Sequence, residues 1–145
     1  MNNYLINSRS LLALRVAVSG IFLVAGANHL LFPEKVSNRL NNAAMADFAM
    51  TLGSPEVLVL LSGVFMVIGG ISLLLGFQTR LAAIGLILIL LPITFTVQVG
   101  QWATSGPLFK NIAIIGGLTF FAINGSLCYS LDNSFKIKFY KTKKH

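Results

Sequence analysis

Four long apolar segments dominate the pattern of hydrophobic and polar positions along the chain. They run over about 11–32, 55–77, 80–102 and 108–128. Each has the roughly 20 residues that a helix needs to cross the hydrocarbon core of a bilayer. The pattern therefore predicts an all-α fold, an integral membrane four-helix bundle.

A shorter pattern of helical period lies between the first two segments. Val36, Leu40, Ala44 and Phe48 recur every four residues among polar neighbours, which is typical of an amphipathic helix. Such a helix either lies in the membrane interface or packs as a lid on the bundle. We expect one short amphipathic helix between spans one and two.

Prolines mark where the helices begin, end and bend. Pro33 ends the first span, and Ser54-Pro55-Glu56 is a typical helix start, with Ser at the N-cap, Pro at the first position and Glu in the first turn. Pro92 removes one backbone hydrogen bond inside the third span and predicts a kink there.

The first span carries one unusual face. Arg15, Ser19, Phe22, Gly26 and His29 follow one another at steps of four, three, four and three, so all five lie on the same side of a helix. Polar and small side chains on an apolar helix point towards protein or water rather than lipid. We expect this face to point into the bundle.

The second span carries two neighbouring rows of small residues at intervals of seven. The first row consists of Ser62, Gly69 and Gly76. The second consists of Glu56, Gly63 and Gly70. Small residues let helix backbones approach closely in lipid. These rows predict the contact face of this span with neighbouring helices.

Composition supports the membrane assignment and a single domain. Of the 145 residues 55% are hydrophobic and only 10% are charged, and the mean hydropathy is +0.79. These values exclude an ordinary soluble globular domain. We expect one membrane domain over residues 1–135.

The first span is too long for the apolar core of a signal peptide, and we expect it to remain uncleaved.

The net charge of +7 is concentrated at the carboxyl end of the chain. Five of the eleven cations are lysines within residues 136–145. A basic cluster directly after an apolar span is typical of a tail at an anionic cytoplasmic leaflet. Because no nucleic-acid-binding motif accompanies the charge, we expect no nucleic acid as a partner.

The distribution of cations also predicts the orientation. Four spans place both termini and the turn at 78–80 on one side, with Arg9, Arg15, Arg80 and the five tail lysines, whereas Lys35, Arg39 and Lys110 lie on the other. Positive charge favours the cytoplasmic side. We expect both termini in the cytoplasm and the protein in a bacterial plasma membrane.

On the predicted cytoplasmic side the buried charges form one layer. Arg15 enters the membrane about one turn deep, near Arg80 and Asp132. Because an unpaired arginine in lipid is unfavourable, we expect an ion pair between Arg15 and Asp132 or between Arg80 and Asp132. The alternative is that Arg15 reaches back to the lipid headgroups.

On the outer side the ends of three spans bring polar residues to the same depth. The candidate pocket consists of Asn28, His29, Glu56, Gln98, Gln101 and Trp102. Lys110 opens the fourth span nearby. A histidine close to a carboxylate is suited to proton transfer or to binding a quinone carbonyl. The alternative is that these residues are only the polar ends of helices at an interface.

Motifs for self-sufficient catalysis are missing from the sequence. His29, His145 and Cys128 do not form any metal-binding spacing, so we expect no metal and no haem. Phosphate-loop, dinucleotide and nucleophile-elbow motifs are absent as well. We assign no catalytic residue. At most, the chain is a subunit of a quinone-linked oxidoreductase.

Short motifs in a fixed order carry a resemblance to a known family. They are Arg15 with Gly20-Ile-Phe and Gly26-Ala-Asn-His29, Ser62-Gly63, Gly69-Gly70-Ile-Ser-Leu-Leu-Leu-Gly76, Thr79-Arg80-Leu-Ala-Ala, Asn124-Gly125-Ser126 and Ser130-Leu131-Asp132. In these motifs the chain resembles the DoxX-like small membrane proteins, which are related to a subunit of archaeal thiosulfate:quinone oxidoreductase. It departs from them at Gln98 and Gln101, where the resemblance leads one to look for a histidine.

The resemblance implies a four-helix membrane bundle associated with redox or thiol-stress systems. The first hypothesis is therefore an accessory or docking subunit that brings a membrane or cytoplasmic redox partner to the bilayer. The second is a binding or transport protein for a quinone, a lipid or a small solute. The sequence does not identify a cofactor, and quinone is one candidate. A further alternative is that the partner is a second copy of the same chain, in a homo-oligomer.

Overall fold

The computed structural model describes residues 7–43, 46–51, 53–98, 105–126 and 129–132, with only the backbone of residues 48, 49 and 98. These residues form six helices: α1 (Ser8–Leu31), α2 (Pro33–Asn41), α3 (Ala46–Met50), α4 (Pro55–Leu75), α5 (Thr79–Gln98) and α6 (Ser105–Asn124). Helices α1, α4, α5 and α6 are long and apolar enough to cross a membrane. The predicted all-α membrane four-helix bundle is confirmed.

The four long helices pack as two pairs. Helix α1 packs mainly on α4, α5 packs mainly on α6, and α4 joins the pairs through its contact with α5. Contacts between α1 and α6 are few. The core between the pairs is apolar, and its most buried side chains are Phe22, Leu73, Leu86, Leu118 and Phe121.

The predicted inward face of α1 is confirmed. Arg15, Ser19, Phe22 and Gly26 are buried, and His29 is half-buried. Their burial follows from helical spacing, because steps of three and four keep side chains on one face. This face brings the side chains of Arg15 and His29 into the bundle.

The small-residue rows of α4 contact two different helices. A Cβ added to Gly63 or Gly70 would press on side chains of α1, whereas one added to Gly69 would press on Leu86 of α5. Ser62, which belongs to the row of Gly69, bonds His29 of α1, so that row contacts both α1 and α5. The predicted contact face thus serves two interfaces.

The connection between α1 and α4 contains two short helices rather than the single one expected. Helix α2 ends at Asn41, and Asn42 turns the chain by bonding the carbonyl of Asn38 through both its backbone N–H and its side-chain amide, at 3.1 and 2.8 Å. The side-chain bond competes with continuation of the helix. Ala44 lies outside the described residues. Helix α2 packs mainly on α4 and also contacts α1.

The two ends of the bundle differ in what they carry. The described residues begin at Asn7 and finish at Asp132 at one end, together with the turn between α4 and α5. We call this the terminal end. The opposite end carries α2 and is called the α2 end.

Candidate functional site

At the terminal end, the carboxylate of Asp132 binds the start of α5. It accepts hydrogen bonds from the N–H groups of Gln78 and Thr79 at 2.8 and 3.1 Å and from the Thr79 hydroxyl at 2.9 Å. The hydroxyl of Ser126 donates to it at 3.3 Å. These hydrogen bonds join Asp132 to the start of α5 and to Ser126, at the place where we expected an ion pair with Arg15 or Arg80.

Asp132 binds at this place because the N-terminus of a helix has N–H groups that lack acceptors. The first N–H groups of a helix have no partner within it, and they favour a negative charge. Burial alone would raise the pKa of Asp132. The hydrogen bonds from the N–H groups of Thr79 and Gln78 and from the Thr79 and Ser126 hydroxyls outweigh it and hold that pKa below its ordinary value.

Arg15 holds the same segment through the backbone. Its side chain is only 3% exposed, and its Nη2 donates to the carbonyl of Tyr129. The N–H of Asp132 donates in turn to the carbonyl of Gly76 at 3.0 Å. Arg80 is exposed beside Gly125. This end is a structural junction that ties α1, α4, α5 and residues 129–132 together.

At the α2 end, a cleft of about 1010 Å³ opens between the two helix pairs. Its walls come from α1, α2, α4, α5 and α6, and most of the lining side chains are apolar. Along α1 it extends from Ala17 to His29, which is about 18 Å at the rise of an α-helix. The cleft therefore reaches from the α2 end into the middle of the membrane-spanning part.

His29 lies on the wall of this cleft and is held by α4. Its Nδ1 is 2.9 Å from the hydroxyl oxygen of Ser62, and that hydroxyl lies 2.8 Å from the carbonyl of Val59. The hydroxyl has one proton, which it donates to the carbonyl. With that proton on the carbonyl, the ring of His29 is in the tautomer whose Nδ1 donates to the Ser62 oxygen.

Asn111 of α6 forms a second arrangement of the same kind. Its side-chain amide donates to the Thr94 hydroxyl oxygen at 2.8 Å, and that hydroxyl donates to the carbonyl of Leu90 at 2.6 Å. Asn111 is only 3% exposed, yet it lines the cleft. Sequence reasoning missed this residue. Its signal was the helical spacing from Asn111 to Ile114 and Leu118, which are all buried.

The candidate pocket expected from the sequence is brought together only in part. Asn28 and His29 line the cleft, whereas Glu56 is exposed at the start of α4 and is not part of the wall. The side chain of Gln98, and Gln101 and Trp102 altogether, lie outside the described residues. His29 therefore has Ser62, and not a carboxylate, as its described neighbour.

The charged residues at the cleft are basic. Arg39 of α2 and Lys110 of α6 both line it and are exposed. Within the described part of the chain, the carboxylates of Glu34, Asp47, Glu56 and Asp132 are not in its walls. The described residues also contain no group of three His, Cys, Asp or Glu side chains arranged as metal ligands. The site is an apolar cleft with a basic mouth.

Comparison with known proteins identifies one family. A family model described as DoxX matches residues 10–99, which include nearly all of α1 and the whole of α2 to α5. The resemblance expected from the short motifs is confirmed by this match. No curated protein and no solved structure gives a significant match.

Proposed function

The chain belongs to the DoxX family, and from this membership we propose that it is an accessory subunit of a membrane redox system that holds a quinone in the cleft at the α2 end. The observation that carries the proposal is the cleft itself. Its volume of about 1010 Å³ is at the upper end of the range of small-molecule sites. Such sites combine apolar walls with a few polar groups, as this one does.

The shape and the lining suit a molecule with a polar ring and an apolar tail. The tail would lie along α1 beside Gly20, where a Cβ would meet no atom within 4 Å. The ring would lie at the α2 end, between His29 and Asn111, which provide hydrogen-bonding groups in otherwise apolar surroundings. Quinones of membranes have this division into ring and tail.

The redox part of the proposal rests on the family. The DoxX-like proteins are related to a subunit of a thiosulfate:quinone oxidoreductase, and an accessory subunit exchanges electrons through a partner rather than alone. We propose that the partner docks on the bundle from the membrane or the cytoplasm. Affinity purification from native membranes should recover such a partner in constant ratio to this chain. Recovery of this chain alone would contradict the accessory role.

We also propose that both termini face the cytoplasm in a bacterial plasma membrane. The asymmetry of cations described above supports this orientation. The mouth of the cleft, with Arg39 and Lys110, then opens at the outer face of the membrane. A quinone would enter there or laterally from the bilayer.

The test is the identity of the apolar molecule that remains bound after purification. Extraction of the purified full chain with organic solvent, followed by mass spectrometry, should yield quinone close to one per chain. Gly20→Leu should abolish it, because the new side chain projects into the cleft from a position with no neighbour within 4 Å. Gly116→Leu is the matched control, since Gly116 also lacks neighbours within 4 Å but is exposed on α6 away from the cleft.

Two results would contradict the proposal. The first is recovery of phospholipid, fatty acid or another solute in place of quinone. The second is quinone content that Gly20→Leu and Gly116→Leu change equally, which would place the bound molecule outside the cleft.

A further inference from the structure

We infer that the cleft binds the reduced quinol in preference to the quinone. The inference rests on the proposed function and deepens it by naming the redox form of the ligand. It follows from the hydrogen bonds of three polar side chains in the cleft wall, His29, Asn111 and Thr96. The protein already engages the donor of His29 and of Thr96, and one of the two N–H donors of Asn111.

The first step concerns His29. Because the Ser62 hydroxyl donates to the carbonyl of Val59, the ring of His29 must donate its Nδ1 proton to Ser62. In the neutral ring the second nitrogen, Nε2, is then an acceptor. Among the described residues Nε2 has no hydrogen-bond partner. It is left as an acceptor for a ligand.

The second step concerns Asn111, on the opposite helix pair. Because the Thr94 hydroxyl donates to the carbonyl of Leu90, the side-chain amide of Asn111 must present its NH₂ group to Thr94. This settles which end of the amide is the oxygen. Within the described part of the chain no donor reaches that oxygen, Oδ1, although the residue is only 3% exposed.

The third step concerns Thr96, one turn beyond Pro92 in α5. Its hydroxyl donates to the carbonyl of Pro92 at 2.8 Å, so its oxygen also remains as an acceptor. The donors at the cleft, Asn28, Arg39 and Lys110, are exposed at the mouth. At the mouth, water competes with a ligand for these donors. They therefore discriminate less between quinol and quinone than buried groups do.

The chemistry of the ligand follows from this division. A quinone ring offers carbonyl oxygens, which only accept, so a carbonyl facing Nε2 of His29 would leave two acceptors without a proton. The second N–H of Asn111 can donate to the other carbonyl, so the mismatch lies at His29 alone. A quinol ring offers two hydroxyl groups, which donate to Nε2 of His29 and Oδ1 of Asn111. Buried acceptors favour a ligand that satisfies them, because an unmatched buried polar group is unfavourable. The wall therefore selects a hydroxyl-bearing ring.

The experiment compares three probes with the same alkyl tail: an alkyl hydroquinone kept reduced under nitrogen, the alkyl benzoquinone and the alkyl 1,4-dimethoxybenzene. Binding to the purified full chain in detergent is measured by titration calorimetry. We expect the hydroquinone to bind about tenfold more tightly than the quinone, as one net hydrogen bond allows. The dimethyl ether, which lacks donors, should bind no better than the quinone. A tenfold preference raises the midpoint potential of the bound couple by about 30 mV.

Two variants separate ligand binding from structure. His29→Asn keeps an N–H group near Ser62 but removes Nε2, and Asn111→Leu removes Oδ1 at similar volume. His29→Asn should reduce the preference about three- to tenfold, whereas Asn111→Leu should weaken both redox forms alike because its amide can donate and accept. Lys35→Gln is the control, since Lys35 is exposed on α2 and is not in the cleft wall, and it should leave the preference unchanged. Thermal unfolding of each variant reports whether the bundle is intact.

The outcomes distinguish this inference from the proposed function. Equal or tighter binding of the quinone overturns the inference alone, as does an unchanged preference in His29→Asn. Binding of none of the three probes overturns the proposed function and the inference with it. A quinol preference that falls in His29→Asn and persists in Lys35→Gln supports both.

Discussion

Gly63 of α4 lies against His29 of α1 so closely that a Cβ on the glycine would stand 2.8 Å from the Cβ of the histidine. A second glycine, Gly26 of α1, lies against α4 in the same way. A Cβ added to it would stand 2.9 Å from the carbonyl oxygen of Gly63. The position of His29 in the cleft wall is therefore set by direct backbone approach between the two helices. One methyl group at this contact should disturb both packing and binding.

Gly63→Ala is expected to destabilise the bundle by about 1–3 kcal/mol, the range for an overpacked contact. It should also weaken quinol binding, because His29 must move away from Ser62. Thermal unfolding in detergent and calorimetric titration measure the two effects. Gly85→Ala is the matched control: Gly85 lies inside α5 with nothing within 4 Å of an added Cβ. Alanine there should be neutral or slightly stabilising. A Gly63→Ala variant as stable as Gly85→Ala would refute the close packing.

Gly76 is the most sensitive backbone position at the terminal end. It ends α4 at φ +66°, and an added Cβ would stand 2.7 Å from Nη1 of Arg15. Gly76→Ala should therefore destabilise by about 2 kcal/mol or more, since backbone strain and steric overlap act together. Gly116→Ala on the exposed side of α6 should have little effect on the unfolding temperature. Equal unfolding temperatures for the two variants would contradict the described junction.

Asp132 should make stability depend on pH in the acid range. Its pKa is lowered in the folded state, so its contribution is present above the ordinary carboxyl value of about 3.9 and is lost as the pH falls through the folded pKa. We expect the unfolding temperature of the wild type to fall between about pH 5 and pH 2. Part of this fall should be missing in Asp132→Asn, which cannot ionise.

Two further measurements make the assignment to Asp132 specific. Asp132→Ala should lower stability at neutral pH by about 0.5–2 kcal/mol, as loss of a helix cap does. Glu34→Gln replaces an exposed carboxylate of α2 and should keep the acid-range dependence of the wild type. An Asp132→Asn variant with the full wild-type dependence would show that other groups cause it.

The helices and the buried face of α1 were predictable because both follow from local sequence. Length and hydropathy define a span, and the spacing from Arg15 to His29 defines a face regardless of what packs on it. The start of α4 at Pro55 was predictable for the same reason, since Pro is favoured in the first turn.

The partners of the polar groups were not predictable, because they depend on three-dimensional contacts. Charge alone suggested that Asp132 would pair with an arginine, whereas its carboxylate accepts hydrogen bonds from the N–H groups at the start of α5. The role of Asn111 could not be predicted, because only the packing of α6 on α5 brings its side chain to Thr94. The break after Asn41 depended on one side-chain bond to the carbonyl of Asn38.

The orientation in the membrane is testable with single cysteines that leave every cation in place. In a Cys128→Ser background, Asn38→Cys marks the α2 end and Ser10→Cys marks the terminal end, and both positions are exposed. Eight of the eleven cations belong to the terminal side and the tail, and positive charge favours the cytoplasm. A membrane-impermeant thiol reagent should therefore label Asn38→Cys in intact spheroplasts and Ser10→Cys only after permeabilisation. The reverse pattern would place the mouth of the cleft in the cytoplasm, and with it the side from which a quinone or its partner approaches.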